Sequence, residues 1–223
     1  GIAAGMKTET NKLGYVAAFP FAEVISGYTA FYLGAKSVNP DVTMEIMYTN
    51  SWNDPTVESQ VAKALIDRGC DVISQHSDST APATTAEDNG VWQVGYNNDM
   101  IEAAPNASLI SPRIDWGIYV TEAVQAMIDG EEIPTDWCKG LADGAVYLSP
   151  LNENIAAEGT QEAIDEAAEK IKSGELHVFA GPLKGVSPEG EEYEVAEGEY
   201  YHEQEEASAP SWLYIVDGCT VVE

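Results

Sequence analysis

Four short clusters of polar or aromatic residues are the parts of this 223-residue chain best suited to bind a ligand. Each follows an apolar run rich in β-branched residues. They are Phe19-Pro20, Gln75-His76-Ser77-Asp78, Asn97-Asn98-Asp99 and Ser111-Pro112-Arg113. If these runs are strands of an open parallel sheet, their carboxyl ends face one way and the clusters meet at one crevice. The sequence therefore predicts a ligand-binding crevice built from separate loops.

Phe19, Asp99 and Arg113 have side chains that can hold a flat, polar ligand. The Phe19 ring can stack on a planar group or cap the core. The Asp99 carboxylate can accept hydrogen bonds from hydroxyls and ring N–H groups or form an Asx turn. The Arg113 guanidinium can donate to carbonyl and ring-nitrogen acceptors, hold Asp99, or form a surface ion pair. All three are predicted ligand-binding residues.

His76, Trp52 and Trp116 complete the predicted ligand-binding set. His76 lies between polar neighbours that resemble part of a catalytic triad, but no GxSxG motif accompanies it. A hydrogen-bonding role is therefore favoured over that of a base. Trp52 can stack on the ligand, wedge the hinge or pack in the core, and core packing is favoured. Trp116 has the same alternatives.

Motifs for catalysis, metals and cofactors are absent from the sequence. It has no GxGxxG, GxxxxGK[ST], HExxH or DxDxDG pattern. Cys70, Cys138 and Cys219 are widely separated and include no CxxC pair, which argues against a zinc or iron–sulfur site. We therefore predict a protein that is not an enzyme, with no catalytic residue, no metal and no cofactor.

The chain is strongly acidic, with 38 Asp and Glu against 10 Lys and Arg and a formal net charge of −28. This charge repels phosphate backbones and anionic headgroups, so nucleic-acid binding and direct adsorption to a bilayer are disfavoured. The acidity fits a need for solubility or a saline habitat. No apolar run reaches the roughly 18 residues of a membrane span.

Strand, helix and strand alternate about every 25 to 30 residues, which is typical of a doubly wound parallel sheet. The fold class predicted is therefore α/β. Strands are predicted at residues 12–18, 43–49, 71–74, 91–95, 109–110 and 145–148. Helices are predicted at residues 23–36, 55–69, 82–89, 117–128 and 154–172. The last fifty or so residues change character and predict a β-rich tail, with much acid between Glu189 and Glu206.

Motifs along nearly the whole chain resemble the basic membrane protein family, the substrate-binding lipoproteins of purine-nucleoside ABC importers. The agreement lies in the order and spacing of several short segments. They are Gly1-Ile2-Ala3-Ala4-Gly5-Met6, Lys12-Leu13-Gly14-Tyr15-Val16, Asn50-Ser51-Trp52 with Asp54-Pro55, Ala64-Leu65-Ile66 through Gly69, Gln75-His76 with Asp78-Ser79, Gly95-Tyr96-Asn97 with Asp99-Met100, Ser111-Pro112 with Trp116-Gly117, Gly174 to Pro182, and Trp212, Val216 and Gly218.

The resemblance implies a type I periplasmic-binding fold, in which two α/β lobes close on a purine held between aromatic side chains. Asp99 and Arg113 match the family's base-binding and basic positions, and Phe19 matches a position lining the cleft. Arg113 departs from the Lys or aromatic residue of many relatives, so nucleoside and free base both remain open. Relatives also have a long amino-terminal stretch before the Gly1 helix, and half a cleft alone should bind weakly.

The resemblance also implies how the chain is divided and where it works. Residues 1–11 would end an amino-terminal-lobe helix, and 12–110 would form the carboxyl-terminal ligand-binding lobe. Residues 111–130 would cross over and supply a helix of the other lobe, and 131–223 would return with the acidic tail. The partners implied are a purine (adenosine, inosine, guanosine or adenine) and ABC permease subunits. The protein would be extracytoplasmic, held at the membrane only through a lipid anchor on an amino-terminal segment.

Two other classes of function stay open at this point. The same fold serves regulatory ligand-sensing domains, for which a neighbouring DNA-binding or kinase segment would argue. A nucleoside-processing enzyme is the third alternative, and turnover that depends on Asp99 or His76 would support it.

Overall fold

A computed structural model describes residues 1–203 and 208–223 of the chain. Its centre is a five-stranded parallel sheet in the order β10-β2-β1-β3-β4. Residues 204–207, which include the end of the acidic stretch predicted up to Glu206, lie outside the described part. The sheet confirms the predicted doubly wound α/β fold.

Sixteen helices and strands of the described residues, together with a 3-10 turn at Leu141–Asp143, make up this architecture. The helices are α1 (Ile2–Lys7), α2 (Ala22–Val38), α3 (Pro55–Asp67), α4 (Ala81–Asp88), α5 (Trp116–Asp129) and α6 (Thr160–Ser173). The first strands are β1 (Lys12–Ala17), β2 (Thr43–Tyr48), β3 (Val72–His76), β4 (Trp92–Val94), β5 (Pro112–Ile114) and β6 (Val146–Leu148). The last strands are β7 (Leu183–Val186), β8 (Glu192–Val195), β9 (Ile215–Val216) and β10 (Cys219–Val221).

Helices cover both faces of the sheet, which is why β1 and β3 are buried along most or all of their length. Leu13 and Tyr15 of β1 pack in the core that contains α1 and α2. Val16 packs in a second core with α3 and α4. Gly14 lets α3 approach closely, because a Cβ atom there would lie 3.1 Å from Leu65 Cβ on that helix.

The start of α3 follows the predicted chemistry. Asp54 is the N-cap, and its Oδ1 accepts hydrogen bonds from the N–H groups of Thr56 and Val57, each at 3.1 Å. Pro55 occupies the first helical position, where its missing N–H has no partner to lose. These contacts fix the end of the loop between β2 and α3, the loop that carries Trp52.

Two predicted elements differ from those observed. Leu109-Ile110 is not a regular strand: Gly95 N–H donates to Ile110 O at 2.9 Å, but the pairing beside β4 amounts to one bridge between Gln93 and Ser108. The helix expected at 154–172 begins only at Thr160. Asn152 explains why α6 starts later than predicted. Its side-chain amide donates to Pro105 O and Ser108 O, and the residues between Asn152 and Thr160 are held in turns.

Two smaller sheets lie beside the main sheet. The antiparallel pair β5–β6 leads into α5, a helix with no buried residue. The tail sheet β8-β7-β9 packs around Trp212, which is fully buried. The described residues contain no helix long and apolar enough for a membrane span and no group of three or more His, Cys, Asp or Glu arranged for a metal ion.

Candidate functional site

One ring follows or ends each of four neighbouring strands of the main sheet. Phe19 and Tyr96 each lie two residues past the ends of β1 and β4, His76 is the last residue of β3, and Trp52 lies in the loop after β2. Because parallel strands end on the same side of a sheet, these rings gather at one edge. Phe21, at the N-cap of α2, joins them.

These five rings form a continuous surface, which we call the aromatic rim. The centroid of Phe19 lies 5.2 Å from that of Phe21 and 5.3 Å from that of Trp52. The Trp52 and His76 centroids are 6.4 Å apart, and those of His76 and Tyr96 are 4.1 Å apart. Phe21 is 53% exposed and Trp52 is 36% exposed, so part of the aromatic rim is open to a planar ligand.

Backbone hydrogen bonds hold the loops of the aromatic rim against one another. Asp78 N–H donates to Trp52 O at 2.8 Å, which joins the loops after β3 and β2. Asn97 N–H donates to Pro112 O at 2.9 Å, which places the loop of Asp99 beside the strand of Arg113. Asn97 adopts the left-handed conformation with φ 58°, one that asparagine tolerates better than most residues.

His76 is a neutral, buried imidazole. Only 4% of the residue is exposed, and burial lowers the pKa of His76 to about 4. Neither ring nitrogen has a hydrogen-bond partner in the described structure, and Glu23 Oε1 lies 3.9 Å from Nε2. A neutral imidazole offers one donor and one acceptor. With so low a pKa it suits hydrogen bonding to a ligand better than taking up a proton at neutral pH.

Tyr96 brings a phenol into the same surface. Burial, followed by the nearby charges of Glu23 and Asp78, raises the pKa of Tyr96 to about 12. The phenol is therefore protonated and keeps its O–H donor at physiological pH. Glu23 and Asp78 add carboxylate acceptors at the margin of the aromatic rim.

Asp99 and Arg113 lie beyond the Tyr96 end of this surface. Asp99 Oδ1 accepts from Ile101 N–H at 3.0 Å, the Asx turn considered as an alternative. A carboxylate has a second oxygen, so this turn and ligand binding are compatible. Arg113 Cζ lies 5.2 Å from the ring centroid of Tyr147 on β6, and the buried Nε has no hydrogen-bond partner within the described residues.

The structure thus brings three of the six predicted ligand-binding residues into ring contact: Phe19, Trp52 and His76. Asp99 and Arg113 are neighbours through their loops, and no ion pair joins them in the part of the chain described. Trp116 is 65% exposed at the start of α5, apart from the aromatic rim. The roles of all six in ligand binding remain predictions.

Tyr96 was not assigned to the site by sequence reasoning, and neither were Phe21 and Glu23. One signal was present for Tyr96, because it follows its strand at the same two-residue offset as Phe19. Phe21 is the N-cap of α2 and Glu23 lies in its first turn. Only the path of the chain from β1 into α2 brings them to the edge of the sheet.

A parallel doubly wound sheet with exposed rings and unpartnered polar groups at its strand ends is an arrangement suited to an α/β protein that binds a small ligand. The chain belongs to the family of PnrA-like ABC transporter substrate-binding proteins, whose family model matches residues 1–180. This confirms the resemblance to the basic membrane protein family. The ABC transporter substrate-binding proteins of this family are extracytoplasmic and are not enzymes.

Individual relatives support the assignment. A purine-binding protein of Brucella abortus is 38% identical over 184 residues, which are 82% of this chain and 52% of that protein. A putative ABC transporter glucose-binding protein of Haloferax volcanii is 37% identical over 211 residues, 95% of this chain and 53% of that protein. The chain therefore spans about half the length of these relatives.

A solved structure shows the same fold. An ABC transporter solute-binding protein from Aeropyrum pernix K1 superposes with a TM-score of 0.66 at 20% identity. The match covers 81% of this chain and 62% of that one. The identity is low, so this comparison supports the architecture and carries nothing about the ligand.

Proposed function

We propose that the chain is the ligand-binding part of a receptor that captures a purine base or nucleoside for an ABC importer. The observation that carries the proposal is the aromatic rim, in which four strand ends each contribute one ring. A flat heterocycle gains most from such a surface, since it stacks over its whole face. The relative named as purine-binding supports the same ligand class.

The polar groups around the aromatic rim fit a purine as well. Asp99, Glu23 and Asp78 offer acceptors for ring N–H, amino or ribose hydroxyl groups, and Arg113 offers donors for ring nitrogens and carbonyls. The neutral imidazole of His76 carries one donor and one acceptor, and it is proposed as a further hydrogen-bonding group. We propose Phe19, Trp52, His76, Asp99, Arg113 and Trp116 as ligand-binding residues, with Tyr96 added to them.

We further propose that the complete receptor has a second lobe. The support is α5, whose apolar residues are exposed: Met127 at 68%, Ile128 at 72% and Trp116 at 65%. Residues 1–11, predicted to belong to that lobe, pack instead with residues 12–110, since Ala3 and Ala4 of α1 lie in the same core as Leu13 and Tyr15. Residues 111–130 would form the crossover and 131–223 the return. Closure of the lobes would bury the purine and present a surface to the permease subunits. A lipid anchor on an amino-terminal segment would keep the receptor at the membrane.

Isothermal titration calorimetry on the complete receptor tests the ligand class. Adenosine, inosine, guanosine, adenine and glucose would be compared under one set of conditions. We expect saturable binding of at least one purine and none of glucose. A glucose-binding receptor of an ABC importer is the second candidate, favoured by the relative named as glucose-binding. Tight glucose binding without any purine binding would refute our proposal in its favour.

A further inference from the structure

Glu58 is a carboxylate that none of the interpretations above uses. It lies in the first turn of α3 and is fully buried. A buried carboxylate is tolerated only if hydrogen bonds replace the water it has lost. The donors that Glu58 found therefore indicate which parts of the fold it holds together.

Those donors come from two different strand ends. Asp54 N–H, in the loop after β2, donates to Glu58 Oε1 at 2.9 Å. The Ser79 hydroxyl, in the loop after β3, donates to Glu58 Oε2 at 2.5 Å. The first loop carries Trp52 and the second follows His76, so one carboxylate joins the supports of two neighbouring rings.

Other contacts fix the same junction. Gln75, also buried, donates its side-chain amide to Ser77 O at 2.9 Å and to Ser79 O at 2.8 Å. Asp78 N–H, in the loop after β3, donates to Trp52 O in the loop after β2. The loop after β3 is thus held by Gln75 from the strand and by Glu58 from the helix, which leaves little freedom in the spacing between Trp52 and His76.

We propose that Glu58 is a positioning residue, which sets the spacing between Trp52 and His76 so that both contact the same ligand. The residue does not touch the ligand itself. In part this inference rests on the proposed function, because the spacing between Trp52 and His76 matters only if both residues contact the same purine. The clamp between the two loops can nevertheless be tested without any ligand.

The test replaces the tryptophans of the protein by fluorotryptophan and follows Trp52 by 19F NMR, with Trp52→Phe to assign its resonance. Ser79→Ala removes one arm of the clamp and also a contact to Ala81 N–H, whereas Glu58→Gln weakens both arms and leaves that contact in place. We expect both variants to shift or broaden the Trp52 resonance. The conservative Ser79→Thr keeps the hydroxyl and should restore it.

Binding of adenosine gives the second measurement. Loss of a buried hydrogen bond to a charged group predicts a dissociation constant about tenfold higher in Ser79→Ala. Glu58→Gln should raise it by about threefold, since its bonds are neutral instead of charge-assisted. Ser79→Thr should stay close to the unaltered protein.

Glu87→Gln is the matched control. Glu87 also joins two segments, since it accepts from the backbone and side-chain N–H groups of Asn106, but it lies at the far end of α4. We expect it to leave both the Trp52 resonance and adenosine binding unchanged. The proposal is wrong if Ser79→Ala and Glu58→Gln behave like this control.

If Ser79→Ala fails to fold, the Glu58→Gln variant tests the proposal instead. Should the unaltered protein bind no purine, the proposed function fails, while the Trp52 resonance still decides on the clamp.

Discussion

At the scale of single residues, Trp52 joins the two halves of the aromatic rim, since its ring contacts both Phe19 and His76. It is also 36% exposed, so a ligand can reach part of the ring. A ring placed in this way contributes most when a flat ligand covers it.

Trp52→Ala should therefore weaken purine binding while the fold persists. Stacking of a base on an aromatic ring is worth roughly 1–3 kcal/mol by alanine substitution, so adenosine should bind about 5- to 150-fold more weakly. Calorimetry measures the change. Tyr193→Ala is the control, because Tyr193 is 38% exposed and lies in the tail sheet, where it stacks on Tyr214. Equal effects of the two substitutions would contradict the proposed site.

His76 should make the protein sensitive to mild acid. Burial lowers its folded-state pKa from 6.5 to about 4, so between these pH values the unfolded chain binds more protons than the folded one. The free energy of unfolding must therefore fall as pH drops through this window, by about 3 kcal/mol from this group. Urea unfolding at pH 7 and pH 4.5 measures the fall.

The variant His76→Asn isolates that contribution. It should lose stability at neutral pH through altered packing, but its dependence on pH between 6.5 and 4 should be shallower than that of the unaltered protein. His202→Asn, an exposed histidine in the tail, should keep the original slope. A slope in His76→Asn as steep as the original would show that other groups cause the acid sensitivity.

At the scale of elements, the close packing of α2 on the end of β3 is the contact on which the site depends most. A Cβ atom at Gly27 of α2 would lie 2.7 Å from His76 Nδ1. This glycine lets α2 approach the imidazole. The start of α2 brings Phe21, its N-cap, and Glu23, in its first turn, to the same edge of the sheet.

Gly27→Ala should displace the His76 ring and weaken adenosine binding. Alanine favours a helix interior by about 1 kcal/mol over glycine, but overpacking a core costs typically 1–3 kcal/mol, so we expect a net loss of stability. Gly34→Ala on the same helix is the matched control, since its Cβ would meet Gly1 Cα at a milder 3.3 Å. Thermal unfolding and calorimetry compare the two. A Gly27→Ala variant that is more stable and binds normally would contradict the packing argument.

At the scale of the whole molecule, the dominant feature is the net charge of −28. The basic residues are mostly paired already: Lys12 and Arg68 both contact Glu45, for example. Most carboxylates therefore repel one another across the surface, and this repulsion opposes the compact state.

Salt should stabilise the protein. The screening length shrinks from about 10 Å at 0.1 M to about 3 Å at 1 M, which removes most repulsion between exposed carboxylates. The few surface ion pairs lose little, because such pairs contribute about 0–1 kcal/mol each. We expect the melting temperature to rise between 0.1 M and 1 M KCl. A fall would mean that attractive pairs outweigh the repulsion.

The family, the alternation of strands and helices, and the capped start of α3 followed from the sequence alone. Each depends on local chemistry: the period of apolar residues, Asp54 before Pro55, and short motifs at fixed spacing. The gathering of polar and aromatic loops at one edge also followed, because parallel strands must end on the same side of a sheet. Phe19 and His76 were named on that ground, and they lie together with Trp52, which was considered separately.

Tertiary structure alone decided which rings touch, which loops are joined, and where α6 begins. Tyr96 and Phe21 enter the aromatic rim through the path of their loops, and Glu58 finds one of its two donors, Ser79, 21 residues away in the chain. Asn152 delays α6 by bonding to carbonyls more than forty residues away. Local propensity reflects only neighbours along the chain, whereas these contacts arise when the packing of α2 and α3 on the sheet brings distant segments within hydrogen-bonding distance.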